Sequence, residues 1–222
     1  MKAFVSWSGG KDGLLAFYKA KQDREVEIVY LLNMISEDGT HSRTHGISAA
    51  LLRAQADALG LPIIQKKTAW GDYEEEFKKT VSVLKKEGIQ AGVFGDIDLQ
   101  EHRDWVERVC SETGIKPFFP LWQMEREDIM RELIASGFEA TVVASKRDEL
   151  GPEWLGRKID EAFIKDLKGL GGIDLCGEAG EYHSFVSGGP LFNKKIELSK
   201  TRKVKKDIGW FLDVMDYEIC AK

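Results

Sequence analysis

The chain has 222 residues, 43% of them hydrophobic and 31% charged, which is enough apolar material for one large domain or two small ones. Thirty-two basic residues against 37 acidic ones give a net charge of −5, which argues against a surface built mainly to hold nucleic acid. No apolar run reaches the roughly 18 residues of a membrane span. The start, Met1-Lys2-Ala3-Phe4-Val5, turns polar almost at once and has no leader pattern. Cys110, Cys176 and Cys220 form an odd, scattered set without a CxxC pair, so a cytoplasmic, non-membrane protein with reduced thiols is expected.

In chain order, Ala3 to Trp7 is a short apolar run, followed by a glycine turn and a helical pattern through Leu14, Leu15, Phe17 and Tyr18. Glu27 to Asn33 reads as a buried strand. Ile47, Leu51, Leu52, Ala54, Ala58 and Leu59 have helical spacing, closed by Gly60. Leu61 to Gln65 is the third strand and Tyr73 to Lys86 the next helix, with Gly88 ending it. Ala91 to Phe94 is a fourth strand, backed by a helix over Glu101 to Thr113. Continuous apolar strands alternating with amphipathic helices predict an α/β domain with a doubly wound parallel sheet, over residues 1–122. From 123 to 222 the rhythm changes. One helix (Ile129, Met130, Leu133, Ile134) and a strand (Ala140 to Ala144) precede glycine-rich, strand-leaning sequence. Ile196-Glu197-Leu198 and Trp210 to Val214 predict a smaller C-terminal α+β domain. The basic stretches Lys194-Lys195 and Arg202 to Lys206 read as a solvated edge strand protected by charge.

Ligands of such sheets gather at the carboxyl ends of the strands, and the first such end is Ser8-Gly9-Gly10-Lys11-Asp12-Gly13. Its glycines let backbone amides approach an anion closely. A helix start adds unpaired N–H groups and partial positive charge. Lys11 supplies a full charge and Ser8 a hydroxyl. Asp12 beside an anion implies a bridging cation, hence Mg²⁺. The loop is shorter than GxxxxGK[ST] and lacks its Lys-Ser/Thr ending. Two readings stay open on the residues alone: a phosphate cradle, or a tight strand-to-helix turn capped by Ser8. Gly13 in the helix's first turns costs up to about 1 kcal/mol against alanine, so either something comes close there or a useful side chain is missing.

The loop resembles the SGGxDS PP-loop of the ATP pyrophosphatases, departing from it at Gly13, where that superfamily has serine. Gly95-Asp96-Ile97, Arg103 and Val106-Glu107-Arg108-Val109-Cys110 resemble the GDI…R…VExVC block of the diphthine–ammonia ligase family. Pro120-Leu121-Trp122, Leu155 to Asp160 and Gly189-Pro190-Leu191-Phe192 match further motifs in order. Cys176-Gly177-Glu178-Ala179-Gly180-Glu181-Tyr182-His183-Ser184-Phe185 is similar to the family's CGEGGEYHTFV. The resemblance runs from residue 4 to about 196. Ala179 stands for a glycine, Ser184 for threonine, and Trp105 where many eukaryotic members carry a second arginine.

The resemblance implies a PP-loop (HUP-like) fold and cleavage of ATP between its α and β phosphates. A substrate carboxylate is adenylated, and ammonia then displaces AMP. The substrate implied is diphthine, the modified histidine of elongation factor 2. Bacterial members exist where diphthamide does not, so the same chemistry on another carboxylate is the alternative. A nucleotide-binding sensor without catalysis is a second alternative. A tRNA-modifying PP-loop enzyme is a third, against which the missing cysteine pair and basic surplus count. The expected site is Ser8 to Gly13, His45, Gly95 and Asp96 at ATP, with Asp12 on Mg²⁺. Arg103, Glu178, Gly180, Glu181, Tyr182 and His183 are expected at the substrate, and Lys11, Asp12, Glu178 and Glu181 to be catalytic. An isolated ExxE reads as a solvated acidic loop, and Asp96 reads equally as a helix cap; the match to the family is what assigns them. A homo-oligomer is compatible with the sequence.

Overall fold

Apolar side chains on one face of each helix and along whole strands force the first half of the chain into layers. The structure, a computed structural model, describes residues 1–43, 45–69, 71–146 and 149–222. Its first elements are β1 (Lys2–Ser6), α1 (Lys11–Gln22), β2 (Glu27–Ile35), α2 (Ala49–Leu59) and β3 (Ile63–Lys67). They are followed by α3 (Tyr73–Lys86), β4 (Ala91–Val93), α4 (Gln100–Thr113) and β5 (Lys116–Phe118). The five strands pair in parallel in the order β3-β2-β1-β4-β5, so the order reverses between β1 and β4. That is the doubly wound switch point expected from the strand–helix alternation.

The core against this sheet joins Phe4, Leu32 and Phe94 to Phe77, Val81 and Leu84 of α3 and to Val106, Val109 and Cys110 of α4. Burial pushes the Cys110 thiol up to about 12, so it packs as an apolar group without nucleophilic character. The short strand β5 is the one element of this sheet that the sequence reading lacks. Its middle residue, Pro117, has no N–H to give a ladder, and β5 accordingly lies at the sheet edge.

The second half forms α5 (Arg126–Ala135), β6 (Glu139–Lys146), α6 (Glu161–Leu170), β7 (Tyr182–Gly188), β8 (Lys194–Lys206) and β9 (Gly209–Ala221). Its four strands pair antiparallel in the order β7-β6-β9-β8. Asp160 caps α6 by accepting the Phe163 amide at 2.8 Å. The lysine-rich β8 is an edge strand, as its charge pattern predicts, but it and β9 run for 13 residues each, far beyond the expected cores at 196–198 and 210–214. Most of their length is solvated, so no apolar run announces it.

By internal contacts the chain divides into two units. One holds Met1–Ser8, Asp12–Arg43 and Leu61–Gln123; the other holds Gly9–Lys11, Thr44–Gly60 and Met124–Lys222. The second unit thus takes three residues of the glycine loop and the whole of α2. Among the described residues no helix is long and apolar enough to cross a membrane.

Candidate functional site

In the unit carrying the antiparallel sheet, the loop residues Gly9, Gly10 and Lys11 lie against β7. The carbonyl of Gly9 accepts the Val186 amide at 3.0 Å and the Gln55 side-chain Nε2 at 3.0 Å. The same Nε2 donates to the Val186 carbonyl at 2.6 Å. Gln55 is fully buried on the apolar stripe of α2, four residues after Leu51. A buried amide with no partner would cost several kcal/mol, so its place on that stripe is the one sequence signal that marks it. Gly9 adopts φ +83°, and a β-carbon there would collide with Leu52. A β-carbon on Gly10 would lie 2.7 Å from the His45 ring and 3.2 Å from the Ser184 carbonyl oxygen. Gly9 and Gly10 are required by this packing.

Lys11 begins α1 and is 3% exposed. Its amide donates to Ser184 Oγ at 3.1 Å, its ammonium donates to the Cys176 carbonyl, and the ammonium lies 5.1 Å from the centre of the Tyr182 ring. Two motifs 165 positions apart in sequence are therefore one local structure. His45 stacks on His183 with ring centres 4.4 Å apart, and its Nδ1 lies 3.4 Å from the Ser184 carbonyl oxygen. Burial, aided by the Lys11 charge, holds His45 down at about 4 although the Ser184 carbonyl favours its cation. The ring is neutral at pH 7, with Nδ1–H as the donor that a carbonyl oxygen requires.

The acidic motif is organised by a residue the sequence reading passed over. Asp174 Oδ1 accepts the Cys176 amide at 2.8 Å, and its Oδ2 accepts the Glu178 amide at 3.2 Å while pairing with Arg126 Nε at 3.0 Å. An Asp whose carboxylate accepts the backbone amide two residues on forms an Asx-turn, and an Asp just ahead of the Cys-Gly turn is the signal that marks it. Glu181 is 6% exposed. Its Oε1 accepts the Asp174 amide at 3.2 Å, and its Oε2 has no partner among the described residues. Glu178 is half-buried and Ala179 exposed. Gly177 (φ +71°) presses on the Tyr182 carbonyl, whereas Gly180 (φ +83°) faces open space. Tyr182, expected at a substrate, is instead 1% exposed, and its hydroxyl is committed to the Leu175 carbonyl at 2.5 Å. It supports the turn from within the core.

In the unit carrying the parallel sheet, Gly95 follows β4, and a β-carbon there would lie 2.8 Å from the Asp12 carbonyl carbon and from the Gly13 amide. The close approach that Gly13 suggested is real, but Gly95 is the residue that has to be glycine. A β-carbon on Gly13 would meet only the Ser6 carbonyl oxygen, at 3.4 Å. Asp96 and the aromatic residues around it line a cavity of about 260 Å³ at the carboxyl ends of β1 and β4, bounded by Ser6, Tyr73, Phe94 and Trp105. Arg103, expected to grip an anion, pairs with Glu107 at 2.6 Å and lies 4.6 Å from the Trp122 ring centre. Its fork is engaged in stacking within its own unit.

One family model, the diphthamide synthase N-terminal domain, matches residues 1–117, and a second, the diphthamide synthase C-terminal domain, matches residues 125–219. A Rattus norvegicus protein named diphthine–ammonia ligase is 35% identical over 138 residues, which is 60% of this chain and 52% of that protein. A Danio rerio protein of the same name is 30% identical over 166 residues, covering 67% and 65%. One from Schizosaccharomyces pombe is 26% identical over 230 residues, covering 94% and 38%. The chain spans about half the length of the mammalian relatives it matches. Among solved structures, a chain described as a predicted subunit of tRNA methyltransferase from Methanocaldococcus jannaschii has a TM-score of 0.45 at 16% identity, covering 85% of this chain and 98% of that one.

Proposed function

Because the chain belongs to the diphthamide synthase family, we propose that it is an ATP-dependent carbon–nitrogen ligase that adenylates a substrate carboxylate and amidates it with ammonia. The observation that carries this reading is the junction of the glycine loop with the acidic motif, through Lys11 to Ser184 and Cys176. A loop for phosphates and a turn for an amine nucleophile are useless apart; a two-step ligase needs them together.

In the first step a carboxylate oxygen bonds to the α-phosphorus of ATP and the bond to the β-phosphate oxygen breaks, releasing pyrophosphate. The loop from Ser8 to Gly13 brings the start of α1 and the dipole of that helix to the phosphates, and Lys11, its amide on Ser184 and its ammonium on the Cys176 carbonyl, adds its positive charge from beneath the loop. Gly95 and His45 hold the loop's shape from outside it. No cluster of three metal-binding side chains occurs among the described residues. Mg²⁺ commonly takes one or two carboxylates and completes its shell with phosphate and water, which suits Asp12 as its single protein ligand.

In the second step Glu181 accepts an ammonium N–H at Oε2 and takes a proton from it, freeing ammonia. The nitrogen bonds to the acyl carbon, the bond to the AMP oxygen breaks, and a second proton goes to solvent. Glu178, Gly180 and His183 border this position in sequence and are assigned to the substrate. Relatives carry the name diphthine–ammonia ligase, and diphthine on elongation factor 2 is the substrate proposed here, with the cytoplasm as the place of reaction. The test is product analysis. ATP with a competent carboxylate and ammonium must yield AMP, pyrophosphate and amide in equal amounts; ADP and phosphate would sink the proposal.

A further inference from the structure

Three consecutive amides of the acidic motif converge on Asp174, which lies ahead of it. Cys176 donates to Asp174 Oδ1 at 2.8 Å, Glu178 to Oδ2 at 3.2 Å, and Gly177 to the main-chain carbonyl at 3.1 Å. Successive N–H groups gathered in a turn make a concavity that takes an anion. Here the anion is the chain's own carboxylate, so the concavity is already filled and has no room for a phosphate. The carbonyls of the turn are committed as well, that of Leu175 to the Tyr182 hydroxyl at 2.5 Å and that of Cys176 to the Lys11 ammonium.

This filled turn fixes one further group. With its carboxylate anchored, the Asp174 main chain sends its own amide to Glu181 Oε1 at 3.2 Å. A carboxylate is free to rotate about its last bond until one oxygen is held. Holding Oε1 leaves the buried Oε2, which has no partner among the described residues, in a single place. Two carboxylates on one turn repel, and Arg126 offsets that repulsion. Its Nε pairs with Asp174 Oδ2 at 3.0 Å, where the Asp174 side chain is only 12% exposed and poorly screened. The Cys176 thiol donates to the Arg126 carbonyl at 3.5 Å, which ties that arginine to the same turn.

We propose that Asp174 is a positioning residue for amidation, acting through Glu181, and that Arg126 supports it by neutralising its charge. The inference rests on the ligase reading, in which Glu181 takes a proton from the incoming ammonium. Asp174 touches neither ATP nor the nitrogen in that scheme. A base displaced by about 1 Å loses on the order of 10²-fold in rate. A residue that sets the place of Oε2 therefore governs the second step without entering it.

The experiment is a double-variant cycle on the full chain, with pyrophosphate exchange and amide formation measured side by side. Asp174→Asn keeps the size and one acceptor for the Cys176 amide while removing the charge and the second acceptor. It is expected to leave carboxylate-dependent exchange within about threefold and to lower kcat/KM for ammonium by about 10–100-fold. Added to Glu181→Gln, it should cost no more than about twofold further, because its effect passes through the carboxylate already removed. A merely structural residue would lower exchange and amidation together and would add its loss in the double variant. Either result overturns the inference, as does amidation unmoved in Asp174→Asn. Asp174→Ser, whose hydroxyl still serves the Cys176 amide, runs the same cycle if the asparagine variant does not fold. Arg126→Gln should show the same selective loss in weaker form; unchanged amidation there would strike Arg126 from the inference. Should the parent form no AMP, or Glu181→Gln amidate normally, the ligase reading falls, and amide hydrogen exchange decides the geometry by itself. The amides of residues 174 and 178 must then lose protection in Asp174→Asn; unchanged protection would overturn the arrangement.

Discussion

The amide of Lys11 donates to Ser184 Oγ at 3.1 Å, across 173 positions of sequence. This bond shows why the second residue of the motif's His-Ser pair is a hydroxyl residue. Lys11 N lies at the start of α1, where amides have no helical partner. Ser184 is 2% exposed, so water cannot replace its hydroxyl. Ser184→Ala is expected to lower unfolding free energy by about 1–3 kcal/mol, read from the urea midpoint. Ser184→Thr, the family's usual residue, should retain most of the wild-type value. If the alanine variant were as stable as the parent, the bond would contribute nothing.

His45 makes a pH prediction with a definite sign. Its imidazole titrates near 6.5 in the unfolded chain and at about 4 in the fold, chiefly through burial. Between those values the unfolded state binds the extra proton. Stability is therefore full above pH 6.5 and is lost as pH falls toward 4, by on the order of 3 kcal/mol at most. His45→Phe keeps a ring against His183 and removes the titration. Its stability should be flatter than the parent's between pH 6.5 and 4; parallel curves would exclude His45 as the cause.

Glycines 13 and 95 separate two kinds of glycine. Gly13→Ser is expected to be tolerated, because its β-carbon would meet only the Ser6 carbonyl oxygen at 3.4 Å. Removing a glycine from α1 should raise stability by up to about 1 kcal/mol, measured by thermal melting. Gly95→Ala places a β-carbon 2.8 Å from backbone atoms of Asp12 and Gly13, which cannot rotate away. That variant should lose 1–3 kcal/mol or more, roughly the cost of overpacking a core. Equal melting temperatures for the two variants would contradict the packing described.

The parallel sheet was legible because its strands are continuous apolar runs and its helices are amphipathic. The glycine loop was legible as a loop, and the stretch 176–185 as a motif. What sequence could not convey was their contact, since nothing in the composition of 8–13 points to 176–184. The residues that make that contact work are ordinary in sequence: Gln55 is a glutamine on a helix, and Asp174 is an acid in a turn. Tyr182 and Arg103 show the opposite case. Motif residues look functional, yet one fills the core and the other stacks on Trp122. A side chain's burial and its committed hydrogen bonds are tertiary facts, and no spacing rule carries them.

Glu181 offers the sharpest division of labour. Its Oε1 is occupied by the Asp174 amide, and its Oε2 is buried with no partner among the described residues. A buried acceptor left without a donor costs about 1–3 kcal/mol, so an incoming N–H is the group that satisfies it. Glu181→Gln replaces that acceptor with a second donor or, flipped, removes the basicity. Adenylation needs neither, so carboxylate-dependent exchange of pyrophosphate into ATP should persist within a few-fold. Amide formation should fall by about 10²–10⁴, the usual contribution of a positioned acid or base. Hydroxylamine is largely neutral at pH 7 and needs no base to free its lone pair, so it should restore turnover in the variant as the hydroxamate, its proton going to solvent after attack. Loss of exchange and amidation together would place Glu181 in the first step; unchanged amidation would remove it from the chemistry.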